Sequence, residues 1–441
     1  MSARATGVEV ASVDSCEVLD SRGRPTVWCE VTLSGGARGS ASVPSGASTS
    51  VHERKELRDG GKRYGGRGTR QAVGNVRSVL GPALEGLDAS DQRLVDETLV
   101  AADGTRDLSR LGANAVLAVS VATAIAAANS AGVELYQYLA DRLGLEPLLP
   151  LPMVNVLSGG AHAGGCIDVQ DFLVVPLGAA NFAEAIEWAA AVREATRGVA
   201  SAGGHPADLA ADEGGLGLAL NSNRAALDLL CAGTQAAGFS LGTDVVIAID
   251  VAAGQLATAT GYAFRSEGRE LSSMELVDEV VGWCVDYPVA SVEDPLSEDD
   301  WAAWQLAAER LGGKAQLLGD DLFATDLERV ERGIHARAAT AVLVKPNQVG
   351  TLTGALDVVQ RARSAGLGTV VSARSGETED CWLADLAVGW GAGQIKVGST
   401  TRAERTSKWN RLLRIEHVLG GGARYAGAGA NPLALGAVHV F

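Results

Sequence analysis

Six residues close short apolar, β-branched runs in the later part of the chain: Asp250, Glu293, Asp320, Lys345, Arg374 and Lys396. All six are ionisable. A strand end is often polar because a loop begins there, which accounts for one or two such residues and is served as well by Ser, Asn or Gly. Six charged ends out of six point to a shared site. Asp250, Glu293 and Asp320 are hard oxygen donors, and carboxylates gathered without partners repel one another unless a cation lies among them. With no His or Cys beside them, oxygen-only ligation suits Mg²⁺ or Mn²⁺ rather than zinc. Arg374-Ser375 offers a planar fork and a hydroxyl, a pair suited to phosphate. Arg keeps its proton near pH 7, whereas Lys can act as a base once a cation lowers its pKa.

Composition sharpens the role of the lysines. The chain carries 37 Lys+Arg, of which only six are Lys (Lys55, Lys62, Lys314, Lys345, Lys396, Lys408), so Arg supplies nearly all the positive charge. Two of those six standing at strand ends suggest that an amine is required there. Two glycine-rich segments add candidates. Glu213, in Asp212-Glu213-Gly214-Gly215, is placed to act as a general acid facing a base. His162 lies in Ser158-Gly159-Gly160-Ala161-His162-Ala163-Gly164-Gly165, where four glycines let backbone approach a ligand closely. Gln170-Asp171-Phe172 reads as the end of another short barrel segment.

The elements that must position these residues follow from the spacing. The runs Val245–Asp250, Ala290–Glu293, Gln316–Asp320, Ala341–Lys345, Thr369–Arg374 and Gln394–Lys396 end 43, 27, 25, 29 and 22 residues apart, with helical patterns between them. Most of these intervals suit one strand, one helix and two short loops. Such alternation predicts a parallel sheet, and six units or more favour a closed (β/α)₈-type barrel. Strands of such a barrel end together at one face, where active sites sit. No G-x-G-x-x-G follows a strand, which weighs against a dinucleotide fold. Before residue 145 the pattern differs. Strands are expected at Val8–Val13, Cys16–Leu19, Thr26–Leu33 and Arg38–Val43, then a Gly/Ser/Thr-rich loop Pro44–Ser50, then helices at 70–82, 91–101, 112–130 and 134–143. Leu148-Leu149-Pro150-Leu151-Pro152 reads as the linker. The expected organisation is an α+β cap domain over 1–145 and an α/β catalytic barrel over 146–441.

Whole-chain properties exclude several classes. The formal net charge of −16 and pI near 4.9 argue against a nucleic-acid binder. The Ala-rich run Ala115–Ala128 is shorter than the roughly 20 residues of a membrane span and reads as a buried helix. Six scattered cysteines without a C-x-x-C pair read as reduced thiols, and Met1–Val10 shows no signal-peptide pattern. A soluble, cytoplasmic protein is expected.

On Asp20-Ser21-Arg22-Gly23, Pro44–Thr49, Glu56–Gly60, Asp212–Gly215, Ser291–Pro295, Gly319–Phe323, Lys345 to Thr351, Arg374–Asp380 and Gln394-Ile395-Lys396, the chain resembles the enolase (phosphopyruvate hydratase) family along nearly its whole length. The resemblance implies an N-terminal α+β cap, a modified (β/α)₈ TIM-type barrel, a homodimer or higher homo-oligomer, and two Mg²⁺ ions. By the same resemblance Asp250, Glu293 and Asp320 hold the first ion, and Ser48 recruits the second with the substrate. Lys345 is the base that takes the proton alpha to the carboxylate of 2-phosphoglycerate, and Glu213 helps the 3-hydroxyl leave. Arg374 and Ser375 bind phosphate, Lys396 pairs with the carboxylate, His162 and Asp171 join Glu213 and Lys345 as catalytic residues, and His162, Gln170 and Asp171 line the substrate. The chain departs from the family around the leaving hydroxyl and the lids. Asp171 stands where enolases have Glu, Ala373 where they have His, Leu216-Gly217-Leu218 where they have Phe-Ala-Pro, Pro346 where they have Val, and Ser50 where they have Gly. Three readings follow: a glycolytic enolase; a paralogue with an altered leaving-group pocket, such as the carboxyphosphonoenolpyruvate synthase of phosphonate antibiotic biosynthesis; and a catalytically weakened binding scaffold, against which the intact Lys345, Glu213 and metal ligands argue.

Overall fold

The computed structural model describes residues 7–46 and 50–431. The first strands form an antiparallel sheet in the order β1 (Val10–Leu19), β2 (Pro25–Leu33), β3 (Arg38–Ser42). The two strands expected at Val8–Val13 and Cys16–Leu19 are one. Asp14 and Ser15, turn-forming by type, instead pair in register with Glu30 and Cys29, and the strand runs through them. The helix expected at 112–130 is α1, Ala113–Ala131, which packs directly on β3. Glycine at position 39 is needed for that approach: a Cβ on Gly39 of β3 would overlap the backbone of Ala122 and Ala126. By length and apolarity α1 could cross a membrane, yet 83% of its apolar window is buried inside the protein. It is a core helix, as its composition predicts. Helices Gln92–Asp103 and Leu135–Leu143 also fall where expected, while the run expected at 70–82 is broken by a π-helical turn at Val76–Leu80.

The rest of the described chain builds a closed eight-stranded barrel. Its strands are β4 (Leu151–Ser158), β5 (Asp171–Val175), β6 (Val246–Asp250), β7 (Val289–Glu293), β8 (Gln316–Gly319), β9 (Ala341–Val344), β10 (Gly368–Ser372) and β11 (Gly393–Gly398), with β11 pairing back to β4. Each lies beside its neighbour in sequence, and the strand interiors interlock as an apolar plug of Leu151, Met153, Leu173, Val246, Leu343 and Val370 among others. The long first interval, 43 residues, is explained by a β-hairpin, Tyr262–Phe264 with Arg269–Leu271, inserted between β6 and helix Ser273–Asp286.

Four expectations are corrected. The barrel is not wholly parallel: β5 runs antiparallel to both β4 and β6. Asp171 therefore begins its strand instead of ending a segment, and the reversal is what brings it to the mouth, opposite Asp250. Lys396 lies inside β11, two residues before its end, and reaches the mouth by the length of its side chain. Leu151 and Pro152 of the expected linker are the first residues of β4.

Candidate active site

Asp250 and Glu293 are the last residues of neighbouring parallel strands and pair directly across them. Asp320 follows β8 and Lys345 follows β9, so the twist of the sheet carries all four to one face. Lys396 Nζ donates to Asp250 Oδ2 at 2.7 Å and to Glu293 Oε2 at 2.7 Å. Lys345 Nζ forms a short ion pair with Asp320 Oδ2. The carboxylates are thus paired with the two strand-end lysines in this structure, not left to repel one another. Further donors hold them: Gln170 Nε2 reaches Asp250 Oδ2 at 3.1 Å, and Gln348 Nε2 reaches Asp320 Oδ1 at 3.1 Å. Burial pulls both ammoniums down, but Asp320 beside Lys345, and Asp250 and Glu293 beside Lys396, outweigh it and hold both lysines above their usual range. Burial and the Asp250 charge push the Glu293 carboxyl well above the usual carboxylate range.

The carboxylates fit a hard divalent cation. They offer oxygen only, all three are buried, and Glu293 Oε1 has no hydrogen-bond partner among the described residues. Asp294 and Asp321, next to two of them, enlarge the cluster. Asp294 sits at φ +39°, a strained conformation for a non-glycine residue, and its carboxylate accepts the backbone N–H groups of Asp320 (2.9 Å) and Asp321 (2.7 Å). It ties the end of β7 to the end of β8 and so sets the spacing of Glu293 and Asp320. Burial, together with the Asp320 charge, pushes Asp321 up to about 8.

On the opposite wall His162 bridges two acids. Its Nδ1 lies 2.9 Å from Asp171 Oδ2 and its Nε2 3.8 Å from Glu213 Oε1. Asp171 is anchored by Ser158 Oγ at 3.0 Å and by Asn155 Nδ2. Burial alone lowers the imidazole pKa, but the two carboxylates overcome it and raise His162 to about 9. At pH 7 this wall holds an imidazolium between an acid held by hydrogen bonds and one facing the cleft. Glu213 is carried by a loop that joins β11, its carbonyl accepting from Ser399 N at 2.9 Å.

Arg374 follows β10 and is buried, its guanidinium gripped by Glu53 and Asn347. The cleft is lined by His162, Gln170, Glu213, Asp250, Asp320 and Lys345, and further by Ala373, Arg374, Ser375 and Lys396. It is small, about 30 Å³. Every candidate named from the sequence that falls among the described residues therefore lines this cleft or, as with Glu293 and Asp171, lies buried directly behind it. Ser48 alone lies outside the described residues. Sequence reasoning missed Glu53, Asn347, Gln348, Asp294 and Asp321. Asp294 and Asp321 each sit next to a named ligand, and a rule that treats the whole acidic doublet as one unit would have found them. Glu53 carries no local signal, since its partner lies 321 residues away.

A charged cleft at the C-terminal mouth of a (β/α)₈ barrel, with a polar cluster that fits a metal and a facing acid–base pair, defines a barrel enzyme. The enolase C-terminal TIM barrel domain matches residues 146–432, and the enolase N-terminal domain matches residues 10–139. The chain belongs to the enolase family, whose members are lyase-type enzymes that generally use Mg²⁺.

Proposed function

We propose that this protein is a Mg²⁺-dependent hydro-lyase. It removes the proton alpha to the carboxylate of 2-phosphoglycerate or a close analogue and expels the 3-hydroxyl to give a phosphoenolpyruvate-type product. The observation that carries this reading is the placement of Lys345 and Glu213, a base and an acid, on one cleft with Arg374, Ser375 and Lys396. Asp250, Glu293 and Asp320 would hold a divalent ion, which when bound neutralises their charge and stabilises the negative charge that builds on the substrate carboxylate. Lys345 then takes the proton. To do so its amine must first leave Asp320 and release its own proton to solvent, because a lysine held above its usual range is protonated at pH 7. Lys396, released from Asp250 and Glu293, pairs with the substrate carboxylate, and Arg374 with Ser375 receives the phosphate. The cleft, about 30 Å³, is small beside a phosphorylated three-carbon acid, so binding would require side chains that line it to move, Lys345 and Lys396 among them. Glu213, backed by His162, protonates the leaving hydroxyl. Ser48 is proposed to recruit a second ion, and the chain to assemble as a homodimer or larger homo-oligomer.

A second reading is supported by the wall of the cleft near that leaving group, where Ala373 offers only a methyl group and Asp171 is drawn back onto His162, Ser158 and Asn155. A paralogue acting on a bulkier phosphorylated or phosphonate acid, like carboxyphosphonoenolpyruvate synthase, would use the same enolate chemistry. One assay separates the two. Purified protein with Mg²⁺ and 2-phosphoglycerate is followed by phosphoenolpyruvate absorbance. Turnover of about 10 s⁻¹ or more supports the hydratase. Mg²⁺-dependent binding without turnover supports the paralogue. Lys345→Ala should abolish turnover under either reading, and retained activity would refute the assignment of the base.

A further inference from the structure

Arg374 and Ser375 are backed by two cap-domain side chains that the reaction above leaves without a role. Glu53 is buried, 7% exposed, and its two carboxylate oxygens accept from Arg374 Nη1 at 3.0 Å and Nη2 at 3.2 Å. A carboxylate that grips both terminal nitrogens fixes the plane of a guanidinium as well as its position. The same Glu53 accepts the backbone N–H of Ser50 at 3.2 Å. At the other end of this cap segment, Arg22 Nη2 donates to Ser45 O at 2.8 Å and Nη1 to Ser375 Oγ at 3.5 Å. Ser45 and Gly376 exchange two backbone hydrogen bonds, of 2.8 and 3.0 Å. A Cβ at Gly376 would overlap the Arg22 guanidinium, so glycine is required for this approach.

We propose that Glu53 and Arg22 are positioning residues for the phosphate subsite. Glu53 orients the guanidinium of Arg374 and Arg22 holds the hydroxyl of Ser375, so the cap sets phosphate affinity without touching the reacting atoms. This rests on the reading of Arg374 and Ser375 as phosphate ligands.

The test is calorimetric titration of the full chain, at saturating Mg²⁺, with inorganic phosphate and separately with 2-phosphoglycerate, alongside steady-state kinetics. Glu53→Gln, nearly isosteric, should weaken both ligands about tenfold or more, the loss of one charge-assisted pair. KM should rise far more than kcat falls, and affinity for Mg²⁺ alone should stay within about twofold. Glu53→Asp, which keeps the charge, should recover part of the loss. Arg22→Lys should give the same KM-dominated pattern at smaller size, which keeps the proposal testable if Glu53→Gln fails to fold. Unchanged or tighter phosphate binding in Glu53→Gln overturns the proposal, since tighter binding would make Glu53 a competitor for the fork. An equal loss of Mg²⁺ affinity overturns it too, as general damage. Glu53-dependent phosphate binding without turnover of 2-phosphoglycerate upholds the positioning role and overturns the proposed reaction. Turnover with Glu53-independent binding does the reverse, and absence of phosphate binding by the unaltered protein overturns both.

Discussion

Replacing Lys396 by Met tests how the carboxylate cluster is neutralised. Lys396 is 6% exposed and its ammonium donates at 2.7 Å to both Asp250 and Glu293, each buried. Met keeps nearly the length and volume of the side chain, so little cavity forms and the change is mainly one of charge. Two hydrogen bonds to charged groups, at about 1.5–3 kcal/mol each, bracket a loss of about 3–6 kcal/mol. Breaking a buried pair by removing one partner costs about 3–5 kcal/mol, the same range. Burial this deep leaves little screening by water to discount. Urea unfolding without divalent ions should show that loss. Adding Mg²⁺ should then restore much of it: an ion at a hundred times its Kd stabilises the folded state by about 2.7 kcal/mol. The increment should be larger in the variant than in the unaltered protein, because there the ion need not displace an ammonium from the same oxygens. A loss below about 1 kcal/mol would show that the pair does not hold the cluster. An equal or smaller Mg²⁺ increment in the variant would refute the assignment of Asp250 and Glu293 as metal ligands.

The pairing of His162 makes stability depend on pH. Its folded pKa of about 9 lies above the 6.5 of an ordinary histidine, so its stabilisation is fully present below pH 6.5 and is lost as pH rises through 9. At about 1.36 kcal/mol per pKa unit this is about 3 kcal/mol at most, and His162→Asn should flatten the corresponding fall in urea-unfolding free energy between pH 6 and 10. A ring-proton titration of His162 with its midpoint near 6.5 would contradict the argument. Ala373→His combined with Asp171→Glu should raise any hydratase turnover measured with 2-phosphoglycerate. Unchanged or lower turnover would count against the leaving-group reading of those two positions.

Much of the site was legible because barrel geometry converts strand ends into neighbours. Asp250, Glu293, Asp320 and Lys345 are far apart in sequence, but each stands where a β-branched run stops, and parallel strands in register do the rest. The scarcity of Lys helped: Lys345 and Lys396 both prove to be paired to carboxylates, Lys396 buried within β11 and Lys345 half-buried just after β9. Asp171 was identified for a reason the structure revises. A five-residue apolar strand carries no mark of its direction, and only its partners show that β5 is antiparallel and that its first residue, not its last, lies at the mouth end of the barrel beside Asp250.

What stayed hidden is the support around the site, and the physical cause is contact distance. Arg22 lies in a turn whose composition announces only a reversal of the chain, yet its guanidinium reaches Ser375, 353 positions later. Arg405, in helix Ala403–Leu419, looks by composition like a surface cation. In the fold it is completely buried and donates to the carbonyls of Arg374 (2.6 Å), Ser375 (2.5 Å) and Val397 (3.0 Å). No periodicity distinguishes such a residue from its exposed neighbours, because its environment is supplied by strands far away in sequence. The residues that present charge to the cleft follow the repeat of the barrel and can be read from it. Those that hold the presenters still obey no repeat, since each closes a different gap between cap, loop and strand. Of the family departures, Ala373 lines the cleft and Asp171 lies buried behind it against His162, while Glu53, Arg22 and Arg405 are bound to Arg374 and Ser375. A change of leaving group with a retained phosphate subsite would account for the departures at Ala373 and Asp171, whereas Ser50, whose N–H binds Glu53, and Pro346 lie on the Arg374 side, and for that reason turnover of 2-phosphoglycerate and binding of inorganic phosphate must be measured separately.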